Sequence, residues 1–103
     1  MNRLLLMFLL SVTGTVFAGA AEIVHYQCKQ WKVKHIHDVK KAETIAGTLK
    51  KLGVEVNQYK HGDHIDLKYR CVKERQLPVK THEEAVKWEK WFKEYGFKVY
   101  HTH

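Results

Sequence analysis

The sequence predicts an α+β fold, a ferredoxin-like βαββαβ plait built from two 43-residue repeats. Its four-stranded antiparallel sheet would run in the order 4-1-3-2, with two helices on one face. Three observations predict it. At a single ungapped offset, Tyr26-Gln27-Cys28 falls on Tyr69-Arg70-Cys71, Gly53 on Gly96 and Val56 on Val99. Each half carries apolar alternation of period two, then a helical stripe, then alternation again. Each helical stripe is framed by a capping residue and a terminal glycine.

The elements follow in order. Val24, Tyr26 and Cys28 alternate with His25 and Gln27 as a half-buried strand. Asp38 offers an N-cap, and Ala42, Ile45, Leu49 and Leu52 fall on one helix face. Gly53 supplies the left-handed residue that ends the helix, and Val54-Glu55-Val56 resumes a strand. His61-Gly62 marks the central hairpin, pairing Val56 with Leu67 and Val54 with Tyr69. The repeat carries the same register to Val24 with Val99 and Tyr26 with Phe97. In the second half Ile65, Leu67, Tyr69 and Cys71 share a strand face. Thr81 with Glu84 forms a capping box, and Ala85, Trp88, Phe92 and Tyr95 form the buried stripe. Gly96 ends that helix before Phe97 and Val99.

Residues 1–20 stand apart from this domain. Asn2-Arg3 is followed by an apolar run from Leu4 to Val12, too short for a stable membrane anchor. Ala18-Gly19-Ala20 fits a signal-peptidase site, with a competing cut after Ala18. The expectation is a cleaved secretory signal peptide and a single secreted or periplasmic domain over 21–103, its halves near 24–60 and 67–103. It would not be transmembrane after cleavage.

The 18 Lys+Arg against 11 Asp+Glu give a formal charge of +7. Export puts intracellular nucleic acid out of reach, so a cell-envelope polymer or anionic surface is the expected counter-charge. Export also places Cys28 and Cys71 in an oxidising compartment, which predicts a disulfide. If the repeat axis passes between them, the two cysteines face each other and His35 faces His64. Sliding strand 1 by four residues packs its apolar positions better but separates the sulfurs, and a bulge near Lys29–Trp31 would reconcile the two registers.

The face not covered by helices presents His25, Lys29, Trp31, Tyr59, Lys68, Arg70, Lys98 and Tyr100. Aromatics interleaved with cations suit sugar rings by stacking and anionic groups by charge. Lys29, Trp31, Tyr59, Lys68, Arg70 and Tyr100 are therefore the expected binding residues for an anionic or carbohydrate polymer. The face also suits a symmetric homodimer. All eight histidines lie after the leader. His35, His37, His61 and His64 gather at the hairpin end beside Asp38 and Asp63, and His25, His82, His101 and His103 lie towards the other. The first four form the alternative site, for Zn, Cu or Ni, in a chain otherwise read as needing no cofactor. No Ser-His-Asp order, nucleophile elbow, phosphate loop or paired-carboxylate motif appears, so a non-catalytic binding domain is expected.

With its repeated Tyr-x-Cys strand and the helix ends "KKLGVEV" and "KEYGFKV", the chain resembles the SPOR domain in topology. That resemblance implies glycan binding through the open sheet face. "CKQWKVKHIHD" and "CVKERQLPVKT" stand where SPOR domains are usually glycine-rich. In topology it is also similar to heavy-metal-associated domains, without their CxxC pair.

Overall fold

The computed structural model describes residues 22–103. The expected leader over residues 1–20 lies outside the described residues. The order is β1 (Glu22–Ile36), α1 (Val39–Lys51), β2 (Glu55–His61), β3 (His64–Val79), α2 (His82–Glu94) and β4 (Lys98–Thr102). The strands form one antiparallel sheet in the order β2-β3-β1-β4, which reads 4-1-3-2 from the β4 edge. α1 packs over β2 and β3, and α2 over β1 and β4. Both contribute to a single core with Val24, Tyr26, Leu67 and Tyr69, so both cover the same face of the sheet.

Local chemistry fixes the helix ends. Asp38 accepts the Lys41 N–H at 3.2 Å and Thr81 accepts that of Glu84 at 3.1 Å. Glu84 in turn accepts the N–H of Lys80, one residue before the cap. At the far ends Gly53 and Gly96 adopt φ of 84° and 83°. Val54 N–H then reaches Leu49 C=O at 3.0 Å, and Phe97 N–H reaches Phe92 C=O at 2.9 Å. These are two Schellman closures, one at the end of each helix. α1 buries Ala42, Ile45, Ala46 and Leu49. α2 buries Ala85 and Phe92 completely, whereas Trp88 is only half-buried and packs with Trp91 along the margin of the core.

The hairpin register differs from expectation by two residues. The loop is Gly62-Asp63, with His61 opposite His64 and Val56 opposite Tyr69. Gly62 takes φ of 56° while Asp63 does not turn positive, the pattern of a type II′ turn with glycine first. β4 shifts with it, placing Tyr26 opposite Val99 and Val24 opposite His101. A shift of two preserves the alternation, so every inward residue keeps its face.

Cys28 and Cys71 face each other at the centre of the β1–β3 pair. The register breaks on both sides of them, at Lys29–Trp31 in β1 and at Val72–Glu74 in β3. The first break matches the expected bulge, and the second occupies the corresponding place in the other half. The expected disulfide is absent: both thiols are free and buried. Each donates instead to a carbonyl of its own bulge, Cys28 to Gln30 at 3.4 Å and Cys71 to Lys73 at 3.3 Å. Burial pushes both thiols above their ordinary ionisation range.

Past the bulges the inward alternation includes Lys32 and Arg75, which stay exposed, and Lys34, which is half-buried, before Ile36, Leu77 and Val79 return to the core. Lys32 lies against Gly96, Arg75 against Gly53, and the Lys34 ammonium stands 5.2 Å from the centre of the Tyr95 ring. Beyond Arg70, β3 has no neighbour on its β2 side, and this free edge tolerates Pro78.

Two core tyrosines occupy matched positions. Tyr26 donates to Leu52 C=O and Tyr69 to Tyr95 C=O, each at 2.6 Å. Burial first, and then the negative charge that the facing cysteine across the strand pair would carry, raises both phenols. Tyr26 moves from the ordinary 10.0 to about 12, and Tyr69 rises further. A phenol raised in the folded state keeps its proton longer there than in the unfolded chain. Its stabilisation is complete below pH 10 and fades as pH climbs towards about 12. Stability should therefore fall from pH 10 upward, and Tyr26→Phe with Tyr69→Phe should flatten that fall. Urea midpoints at about pH 9 and about pH 11 measure it. An unchanged slope in the double variant would contradict this account.

Candidate functional site: the histidine clusters and the open sheet face

Strand alternation sends His35, Tyr59, His61, His64, Asp66, Lys68 and Arg70 to the face without helices. Their partners place them in rows: His61 opposite His64, Tyr59 opposite Asp66, Asp66 opposite His35 and Asn57 opposite Lys68. At the hairpin end the rows converge on Asp66, a carboxylate only 14% exposed. One of its oxygens is hydrogen-bonded to His35 Nδ1. His61 Nε2 lies 3.1 Å from the other oxygen, and His64 Nε2 lies 3.7 Å from the first. The His64 ring centre is 5.6, 5.3 and 5.7 Å from those of His35, His37 and His61.

The four histidines expected to gather here therefore do so, with two corrections. His35 faces Asp66 rather than His64, because the bulges move the β1–β3 register by two residues beyond the cysteines. Asp38 takes no part, since its carboxylate caps α1. Asp63 lies 3.4 Å from His64 Nδ1; that hydrogen bond and the nearby charge of His37 hold its carboxyl below the usual range. Donor atoms of His35, His64 and Asp66 fall within 4.8 Å of one another, as do those of His37, Asp63 and His64. His64 belongs to both sets. Imidazole and carboxylate are the donors a borderline divalent cation prefers, and tetrahedral ligands about 2.0–2.2 Å from Zn²⁺ stand about 3.3–3.6 Å apart. The observed separations bracket that spacing.

Sequence reasoning missed Asp66. Its signal was present, since Ile65 and Leu67 point inward and Asp66 must point outward beside His64. Only the shifted register makes His35 its partner.

The expected polymer-binding residues are spread along the same face. The Arg70 guanidinium carbon lies 4.5 Å and the Lys68 ammonium 5.3 Å from the Trp31 ring centre. Arg70 also pairs with Glu55 at 3.3 Å. Tyr59 and Tyr100 are exposed. Tyr100 stacks on His25 at 4.5 Å and donates to Glu74 at 2.9 Å, a bond that raises its own phenol. Lys29 does not join Trp31. It lies on the β1 bulge and lines a shallow cleft with Gln27, Gln30, Lys32 and Lys98.

His25 does not join His82, His101 and His103. Alternation puts it on the open face under Tyr100, with Nε2 at 2.9 Å from the Thr102 hydroxyl. Comparison with protein families, curated proteins and solved structures finds no match to this chain. Among the described residues no helix is long and apolar enough to cross a membrane.

Proposed function

We propose that this is a small exported, non-catalytic domain that binds a borderline divalent metal on its open sheet face, and that its two halves form a repeat-built ferredoxin-like plait. The convergence of His35, His61 and His64, from three different strands, on the single carboxylate of Asp66 carries the reading. Zn²⁺, Cu²⁺ and Ni²⁺ all accept this donor set. The cation would compensate the one shielded negative charge of Asp66, with the surrounding imidazoles as its further ligands. The test is equilibrium dialysis of untagged protein against Zn²⁺. His64→Ala removes the residue common to both donor sets and should abolish binding at this face. Equal occupancy in wild type and variant would overturn the reading.

A second reading, an anionic or carbohydrate polymer of the cell envelope on the same face, is favoured by the Trp31–Arg70–Lys68 stack with Tyr59 and Tyr100 exposed beside it. It ranks second because Arg70 and Lys68 already crowd the Trp31 ring that a sugar would stack upon. Trp31→Ala with Arg70→Ala should abolish sedimentation with cell-wall polymer while leaving Zn²⁺ occupancy unchanged. Polymer binding that survives this pair would rule the second reading out.

A further inference from the structure

We infer a second cation site, on the helix-covered side at the opposite end of the sheet, formed by Glu22, His82 and His101 with His103 at its mouth. It uses none of the open-face residues and stands independently of that reading. Glu22 opens β1 in the same alternation as Val24 and Tyr26, so its carboxylate points towards the helices and is only 6% exposed. A carboxylate held that far from water needs compensation. Among the described residues, every group paired with it is an imidazole. His82 Nδ1 lies at 2.9 Å, His101 Nε2 at 3.2 Å and His103 Nδ1 at 3.2 Å. The ring centres of His101 stand 5.1 Å from His82 and 5.5 Å from His103, so the three rings surround one point. Donor atoms of Glu22, His82 and His101 all fall within 4.8 Å of one another.

A second observation points to a metal rather than to hydrogen bonding alone. His101 uses Nε2 towards Glu22, while its other nitrogen, Nδ1, is buried and lies 3.0 Å from Glu89 Oε2 without hydrogen-bond alignment. A ligating histidine characteristically offers its second nitrogen to a carboxylate, which fixes the tautomer and strengthens the metal-facing nitrogen. Glu89, on the third turn of α2, stands where that positioning carboxylate is needed. The ligands come from the start of β1, the start of α2 and the end of β4. A bound cation would therefore clasp the two termini of the domain and pin the five-residue edge strand β4.

The experiment uses untagged protein expressed from the full-length gene, with Zn²⁺ as probe. Bound metal is counted after equilibrium dialysis, and folding is checked by circular dichroism. His82 and His103 are largely exposed, so His82→Ala with His103→Ala should fold normally and hold one equivalent fewer than wild type. His35→Ala with His61→Ala should leave this site filled, whatever happens at the open face. Glu89→Gln should weaken it about 10–100-fold. In wild type, Zn²⁺ should lock His101 into the Nδ1–H tautomer, read from its imidazole nitrogen shifts. Unchanged stoichiometry in His82→Ala/His103→Ala, or no tautomer change at His101, would overturn the inference.

Discussion

Phe92→Ala should cost about 3–5 kcal/mol, enough to consume much or all of the stability of a domain this small. Phe92 is completely buried, and it is the ring around which the aromatic half of the core is arranged. It stacks on Tyr26 at 4.4 Å, meets Phe97 at 5.0 Å, and touches Trp91 and Trp88 at 5.4 and 5.8 Å. Its carbonyl also receives the Phe97 N–H that closes α2. Truncation would leave a cavity lined by these four neighbouring rings. The matched position in the first half is Leu49, equally buried, among smaller neighbours. Leu49→Ala should cost about 2–5 kcal/mol, no more than Phe92→Ala. Urea unfolding followed by far-ultraviolet circular dichroism measures both. A cost under about 1 kcal/mol at Phe92 would contradict the assigned core.

Zn²⁺ should raise the thermal midpoint substantially. At free metal about a hundredfold above its Kd, a site present only in the folded state adds about 2.7 kcal/mol. For a domain of this length that is roughly 10–20 °C. The shift should shrink as pH is lowered, because a protonated imidazole cannot ligate and metal must displace its proton. Asp66→Asn should remove the open-face share, and Glu22→Gln the share from the opposite end. Scanning fluorimetry over a Zn²⁺ series reads these shifts. A midpoint that stays level or falls would mean that the unfolded chain, with its eight histidines, binds metal as well as the folded domain does.

What was legible in the sequence was whatever local periodicity controls. The stripe Ala42, Ile45, Leu49 and Leu52, the caps Asp38 and Thr81, and the glycines at 53 and 96 each depend on residues within one or two turns. Inward and outward faces were equally legible, because alternation survives a register shift of two. Pairing itself was not. It depends on Gly62 sitting first in the hairpin and on paired bulges, of which the one at Lys29–Trp31 was expected and the one at Val72–Glu74 was not. Those shifts decide which side chains meet. They bring Asp66 to His35, and they accompany thiols that turn to their own bulge carbonyls instead of to each other. Glu22 was overlooked because it lies at the boundary of the expected leader, outside the first recognised alternation.

The central claim is that the histidines are arranged around shielded carboxylates to hold metal. It is tested most directly by elemental mass spectrometry on untagged protein, purified without added metal and passed through a mild chelator. The account predicts retention of one borderline metal at close to two equivalents per chain, falling to one in His64→Ala and to one in His82→Ala/His103→Ala. No retained metal, or the same content in wild type and both variants, would contradict it.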